Sequence, residues 1–183
     1  MDFYPAVFLI IGISRYSKVK STVSVPSIYI GQRWKMEILI REIEERDYHD
    51  ALEIWNNEIG STHFTTESFS SHHDRFKGNE NYKAFVAELG NKVVGILYVM
   101  KYAPWALDSE QFWIQCIAVK NHMQGKGVGT KLLEHLEKYS KEIGVEYITL
   151  NTGFKRTAAH AFYERNGYSS GNYCFGKKLL HTE

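Results

Sequence analysis

A stretch apolar except for Gln115, Ile114–Val119, leads through a short polar turn into Gln124-Gly125-Lys126-Gly127-Val128-Gly129-Thr130. From there Val128, Leu132, Leu136, Tyr139 and Ile143 recur at the spacing of one helical face, up to Gly144. A strand, a glycine-rich turn and an amphipathic helix are satisfied together where the helix lies back on a sheet containing the strand. The apolar character of Ile114–Val119, interrupted only by Gln115, predicts a strand covered on both faces. The opening turn of such a helix carries N–H groups with no acceptor inside the helix, together with the positive end of its dipole, so an anion sits there naturally. Glycine lets the backbone approach phosphate oxygens closely. Lys126 either adds charge at that point or is a solvated surface lysine.

From Met36 onward the other signals alternate between strand and helix, which predicts an α/β or α+β domain. Ile38 and Ile40 alternate with polar neighbours in a strand over Glu37–Glu42. Asp47 is placed to cap a helix bearing Tyr48, Ala51, Leu52, Trp55 and Ile59, with Gly60 just past its end. A weaker helix runs through Glu67–Phe76. Tyr82–Leu89 and Lys92–Lys101 are rich in β-branched and aromatic residues and are joined by Gly90-Asn91, a two-residue hairpin signal. Gln111–Lys120 and Glu146–Asn151 read as strands, Ala158–Asn166 as a short helix closed by Gly167, and Tyr168–Leu179 as a terminal strand or hairpin.

A chain of 183 residues has room for one domain with a sizeable core, because a domain of roughly 150 residues buries about 70% of its unfolded surface. Residues 1–35 read as an N-terminal extension of uncertain role and residues 36–183 as the domain. Charge follows the same division. Arg15, Lys18, Lys20, Arg33 and Lys35 face Asp2 alone in the extension, which leaves the domain mildly acidic. An acidic domain is a poor match for nucleic acid, whose backbone rewards clustered Lys and Arg. The apolar run Ala6–Ile13 is too short for a membrane span, has Asp2 rather than basic residues before it and leads to no small-residue cleavage pattern. With only Cys116 and Cys174 and no secretory signal, the expected location is a reducing compartment, the cytoplasm.

Two phosphate-binding devices can be tested against the glycine run. The nucleotide loop Gly-x-x-x-x-Gly-Lys-Ser/Thr, counted from Gly125, puts Thr130 where its second glycine belongs, so it fails. The dinucleotide fingerprint Gly-x-Gly-x-x-Gly finds its third glycine one residue early, at Gly129, and normally lies in the first βα unit of a domain.

Gln124-Gly125-Lys126-Gly127-Val128-Gly129 instead resembles the Gln/Arg-x-x-Gly-x-Gly/Ala motif of the GCN5-related N-acetyltransferases, preceded as in that family by a strand, here Cys116-Ile117-Ala118-Val119. Further on, Ala159-His160-Ala161-Phe162-Tyr163-Glu164-Arg165-Asn166-Gly167-Tyr168 is similar to the family's Ala-x-x-Phe/Leu-Tyr-x-x-x-Gly-Phe/Tyr helix and turn. The resemblance covers about Met36 to Leu179. It implies a central mixed, mostly antiparallel sheet of about six to seven strands flanked by about four helices, with one splayed strand pair. Acetyl-CoA is implied as co-substrate, with no metal, and dimers are common in the family.

The resemblance also assigns roles. The diphosphate of CoA would rest on N–H groups from Gln124 through Gly125, Lys126, Gly127, Val128 and Gly129 to Thr130. The pantetheine arm would run along the edge of Ile117, Ala118 and Val119, where its amides pair as a strand would. Tyr163 would supply a proton to the departing thiolate, and the N–H of Ile117 would hold the oxyanion. The alternative for Tyr163 is a helix residue that only packs on CoA. For the general base Glu110 is the candidate, against the reading of a solvated loop carboxylate. The family often has Asn seven residues before the tyrosine, where this chain has Arg156; Asn151 takes over part of the pantetheine contact, while Arg156 meets a phosphate or caps its helix.

Other residues read as structural. His72-His73-Asp74 lacks a second cluster at ligand spacing and reads as surface helix, Cys116 as a buried thiol, and Phe64, Phe69, Phe76, Tyr102 and Trp105 as core or acceptor-pocket aromatics. His160 reads as structural or acceptor-lining. The expected activity is acetylation of a small-molecule amine by direct transfer, with protein N-terminal or lysine acetylation and a non-catalytic acyl-CoA sensor as alternatives. Nucleic acid and membrane are not expected partners.

Overall fold

The sheet grows outward from the Gly90-Asn91 turn. Both residues have positive φ, 57° and 61°, the combination a two-residue hairpin needs to match the twist of its strands. The computed structural model describes residues 37–60, 63–171, 174, 176 and 177; the expected extension, 1–35, lies outside them. The turn joins β2 (Tyr82–Leu89) to β3 (Lys92–Tyr102). β1 (Leu39–Glu42) flanks β2, β4 (Gln111–Val119) flanks β3, and β5 (Tyr147–Leu150) closes the order β1-β2-β3-β4-β5. All pairings are antiparallel except β4 with β5, which is parallel and so needs a crossover.

That crossover is α3 (Val128–Glu142), whose Val128, Leu132, Leu133 and Leu136 are buried to 1% exposure or less. Each such side chain contributes about 1.5–3 kcal/mol of burial. The close approach depends on Gly95 of β3. A Cβ there would lie 3.1 Å from Val128 Cγ1 and 3.2 Å from Leu132 Cδ1, so a Gly95→Val change would push the helix off the sheet. α4 (Thr157–Arg165) adds Ala159, Phe162 and Tyr163 to the same core. The opposite face is covered by α1 (Tyr48–Ile54) and α2 (Thr66–Asp74), through Ala51, Ile54 and Phe69 against Val86, Ile96, Cys116 and Ala118. Beyond Ile54 the first helix widens into a π turn, Trp55–Ile59, which Gly60 ends at φ 65°.

Two local expectations are corrected. Asp47 does not cap α1: its carboxylate takes two hydrogen bonds from Arg41, at 2.6 and 2.8 Å, and one from the Glu44 N–H at 2.8 Å. Burial acts to raise its pKa, but these hydrogen bonds outweigh it and hold the carboxyl below the usual range. His73 is half-buried rather than a free surface residue; its ring packs against Tyr48 and Phe69 and its Nε2 lies 2.9 Å from the Tyr98 hydroxyl. Five strands stand among the described residues, and Tyr168–Gly171, the described start of the expected terminal strand, is irregular, with much of the rest lying outside.

Candidate active site

The register of β4 changes once. Tyr98 opposes Cys116 but Val99 opposes Ile114, so Gln115 is an extra residue that bulges the strand. β5 accompanies β4 only as far as Ile114–Leu150, and the two strands part at the bulge. The parting leaves one edge of Cys116–Val119 without a strand beside it.

Which backbone groups face that opening follows from the antiparallel ladder. The Lys120 N–H donates to Val94 O at 2.9 Å, so Val119 and Gly95 form a pair that does not exchange hydrogen bonds. Alternation then turns the N–H and C=O of Ala118 toward Ile96 of β3 and those of Ile117 and Val119 away, toward the opening. The Val119 C=O is already taken by Gln124 Nε2 at 2.9 Å. The expected edge of three residues is therefore narrower: Ala118 spends its backbone on β3 and its side chain in the core, and Ile117 presents both groups.

Past Val119 a turn at Asn121–Met123 leads to Gly125 and Gly127, at φ 72° and 82°, with nothing within 4 Å of where a Cβ would stand. The first helical bond of α3 runs from the Lys131 N–H to Gly127 O at 3.0 Å, so the amides of Val128, Gly129 and Thr130 precede it and lack an acceptor within the helix. Gln124 differs from these residues, since its own N–H donates to Asn121 O at 3.1 Å; it shapes the turn rather than opening it. Glu58, with no motif to mark it, braces the turn from the π turn: its carboxylate accepts from the Asn121 N–H at 2.9 Å and from Gln124 Nε2 at 3.4 Å. Only the tertiary fold brings Glu58 there.

Gly129 has a different reason to be glycine. A Cβ on it would meet Phe162 Cζ at 3.0 Å, so α3 and α4 touch there. The neighbouring Tyr163 is 5% exposed. Burial pushes its phenol well above the ordinary range, Cys116 and Tyr168 add to the shift, and Arg156 opposes it. A phenol so placed is protonated at neutral pH. Burial lowers the Arg156 pKa while Tyr163 acts to raise it, so the two groups lie within electrostatic reach. The Arg156 side chain makes no capping bond to α4. His160 pins the loop before that helix, its Nε2 standing 3.0 Å from Gly153 O. Asn151 and Thr152 follow β5 where it leaves β4, and Thr152 Oγ1 is buried without a hydrogen-bond partner.

Glu110 stands apart from this group. Its carboxylate pairs with Lys101 Nζ at 2.7 Å, and it precedes Ile117 by seven residues of β4, or ~20 Å along the strand. Cys116 is buried, and burial pushes its thiol far up, which leaves it inert as a nucleophile. Among the described residues no group of three or more His, Cys, Asp or Glu could hold a metal ion, and no helix is long and apolar enough to cross a membrane.

A helix N-terminus opening at the end of a bulged strand that parts from its neighbour sets anion-binding amides beside a free strand edge. The chain matches the model of the Acetyltransferase (GNAT) family over residues 40–168, and it belongs to that family. It is 38% identical over 66 residues to an aminoalkylphosphonate N-acetyltransferase of Salmonella typhimurium, covering 36% of this chain and 43% of that protein. It is 36% identical over 85 residues to an uncharacterized N-acetyltransferase of Methanocaldococcus jannaschii, covering 46% and 51%. The chain thus spans about half the length of the curated relatives it matches. Among solved structures, glucosamine-6-phosphate N-acetyltransferase from Arabidopsis thaliana superposes with a TM-score of 0.68 at 21% identity, covering 79% of this chain and 99% of that one, a likeness of fold.

Proposed function

We propose that this chain transfers an acetyl group from acetyl-CoA to the primary amine of a small molecule, by direct attack in a ternary complex. The observation that carries the reading is the pair of outward-facing backbone groups on Ile117, beside the opening between β4 and β5 and one turn from the amides that open α3. The amides from Gly125 to Thr130, with Lys126 among them, hold the diphosphate. The Ile117 C=O, the Val119 N–H and Asn151 receive the polar groups of pantetheine, and the Ile117 N–H donates to the oxyanion.

In the transfer the amine nitrogen bonds to the thioester carbon, the carbon–sulfur bond breaks, and the thiolate takes the Tyr163 proton. The attacking amine enters uncharged, and its surplus proton leaves to water, from which Tyr163 regains the proton it gave to the thiolate. Arg156 steadies the phenolate that Tyr163 momentarily becomes. Glu110 has no part in this scheme.

Calorimetry with acetyl-CoA, followed by thiol release in the presence of amines, tests the reading. Micromolar binding with amine-dependent release is expected. Binding without release would replace the enzyme by a sensor of acyl-CoA, and no heat of binding would remove the site altogether.

A further inference from the structure

Glu58 is 9% exposed, a carboxylate turned inward from the end of a helix, and such a group is costly to bury unless its oxygens are hydrogen-bonded. Its oxygens take the Asn121 N–H at 2.9 Å and the Gln124 side-chain amide at 3.4 Å, both uncharged partners. What Glu58 holds is therefore the near end of the glycine run. The Gln124 amide also donates to Val119 O at 2.9 Å, which ties the end of β4 to the π turn. Met123 beside it is sunk in the α3–α4 core, and Val128 at the far end of the run is buried there as well. Between these anchors Gly125, Lys126 and Gly127 are exposed, and the two glycines hold positive φ with nothing packed where a Cβ would stand. A glycine backbone so unsupported has many conformations open to it, so the direction of its amides is set where the run is attached.

We infer that Glu58 is a positioning residue for the coenzyme: from beneath the turn it fixes the run whose amides receive the diphosphate, without itself touching the ligand. The inference rests on the acetyl-CoA reading above. The π turn carries Glu58 to this place and does a second task at the same time. Asn56, two residues earlier, faces another side, where it accepts from the Phe64 N–H at 3.0 Å and donates to the Phe64 C=O at 2.9 Å. One short turn thus holds the chain before α2 with one side chain and the diphosphate loop with another. A carboxylate set behind an anion site repels the anion, so the contribution of Glu58 lies in ordering the amides ahead of binding.

Calorimetry with acetyl-CoA on Glu58→Ala and Glu58→Gln, with pantetheine titrated in parallel by ligand-observed NMR, tests this. Glu58→Ala is expected to raise the acetyl-CoA dissociation constant about tenfold. Glu58→Gln is expected to raise it about threefold, since the new amide still accepts from Asn121 but sets an NH2 against that of Gln124. Pantetheine lacks the diphosphate, so its affinity should stay within about twofold in both variants. Asn56→Ala loosens the same π turn on its other side and should leave acetyl-CoA affinity within about twofold. An equal loss for pantetheine, an equal loss in Asn56→Ala, or tighter binding by Glu58→Gln overturns the inference and leaves acetyl transfer standing. Wild-type protein that binds no acetyl-CoA overturns both.

Discussion

Gly129 and Phe162 are in contact across the two helices that carry the chain's two motifs: a Cβ added to the glycine would stand 3.0 Å from the ring's Cζ. The glycine run and the tyrosine helix are therefore one assembly. The ring that crowds Gly129 belongs to the residue next to Tyr163, so the position of the phenol is tied to the opening of α3.

Gly129→Ala is expected to destabilise the fold by about 1–3 kcal/mol, because the buried Phe162 ring must shift. Turnover should fall with it, since α4 carries Tyr163. Adding Phe162→Leu makes room, and the double variant should recover a substantial part of both losses. Urea denaturation and steady-state kinetics on the two variants check this; equal stability of single and double variants would show that the contact does not matter.

For Tyr163→Phe, kcat is expected to drop about 10²-fold with the acetyl-CoA dissociation constant within about twofold of the wild type. The phenol contributes only when the thiolate forms, whereas the ring remains to fill its place. An unchanged kcat removes Tyr163 from the chemistry.

Glu110→Gln should leave kcat/KM within about twofold, because an exposed ion pair with Lys101 is worth little and the carboxylate lies far from Ile117. A large loss in that variant would restore Glu110 as the base and require the thioester to lie elsewhere.

Stability should depend on pH through His73. Burial, assisted by His72 and opposed by Asp74, lowers its pKa from 6.5 to about 4. Between those values the unfolded chain binds the proton that the folded chain refuses, so the stabilisation is complete above pH 6.5 and is lost as pH falls toward 4. Allowing for the ring's partial exposure, the loss is about 1–2 kcal/mol. Urea midpoints at pH 7 and pH 4.5 measure it, and in His73→Phe that part of the pH dependence should vanish.

Much of the architecture was legible along the chain because its signals are local. Gly90-Asn91 specifies a hairpin by the φ values its residues accept, and the periodic face of α3 together with Gly144 specifies that helix. Asp47 misled because a residue with a strong preference for helix starts can be claimed by a charge from elsewhere, here Arg41. His73 misled because helical position alone does not say what lies over it; β3 supplied Tyr98. Glu58 could not be found at all, since what it braces lies 63 residues away in sequence.

By itself the sequence determined the order and kind of the elements, the turn that opens α3 and the family to which the domain belongs, because backbone preference and periodicity act between neighbours a few residues apart. Tertiary structure alone decided that Gln115 bulges β4, that Ala118 faces β3 while Ile117 faces the opening, and that Tyr82, Met100, Trp113 and Thr149 stand opposite one another across four strands. Those depend on the register between strands, which long-range pairing sets and which a slip of one residue would invert.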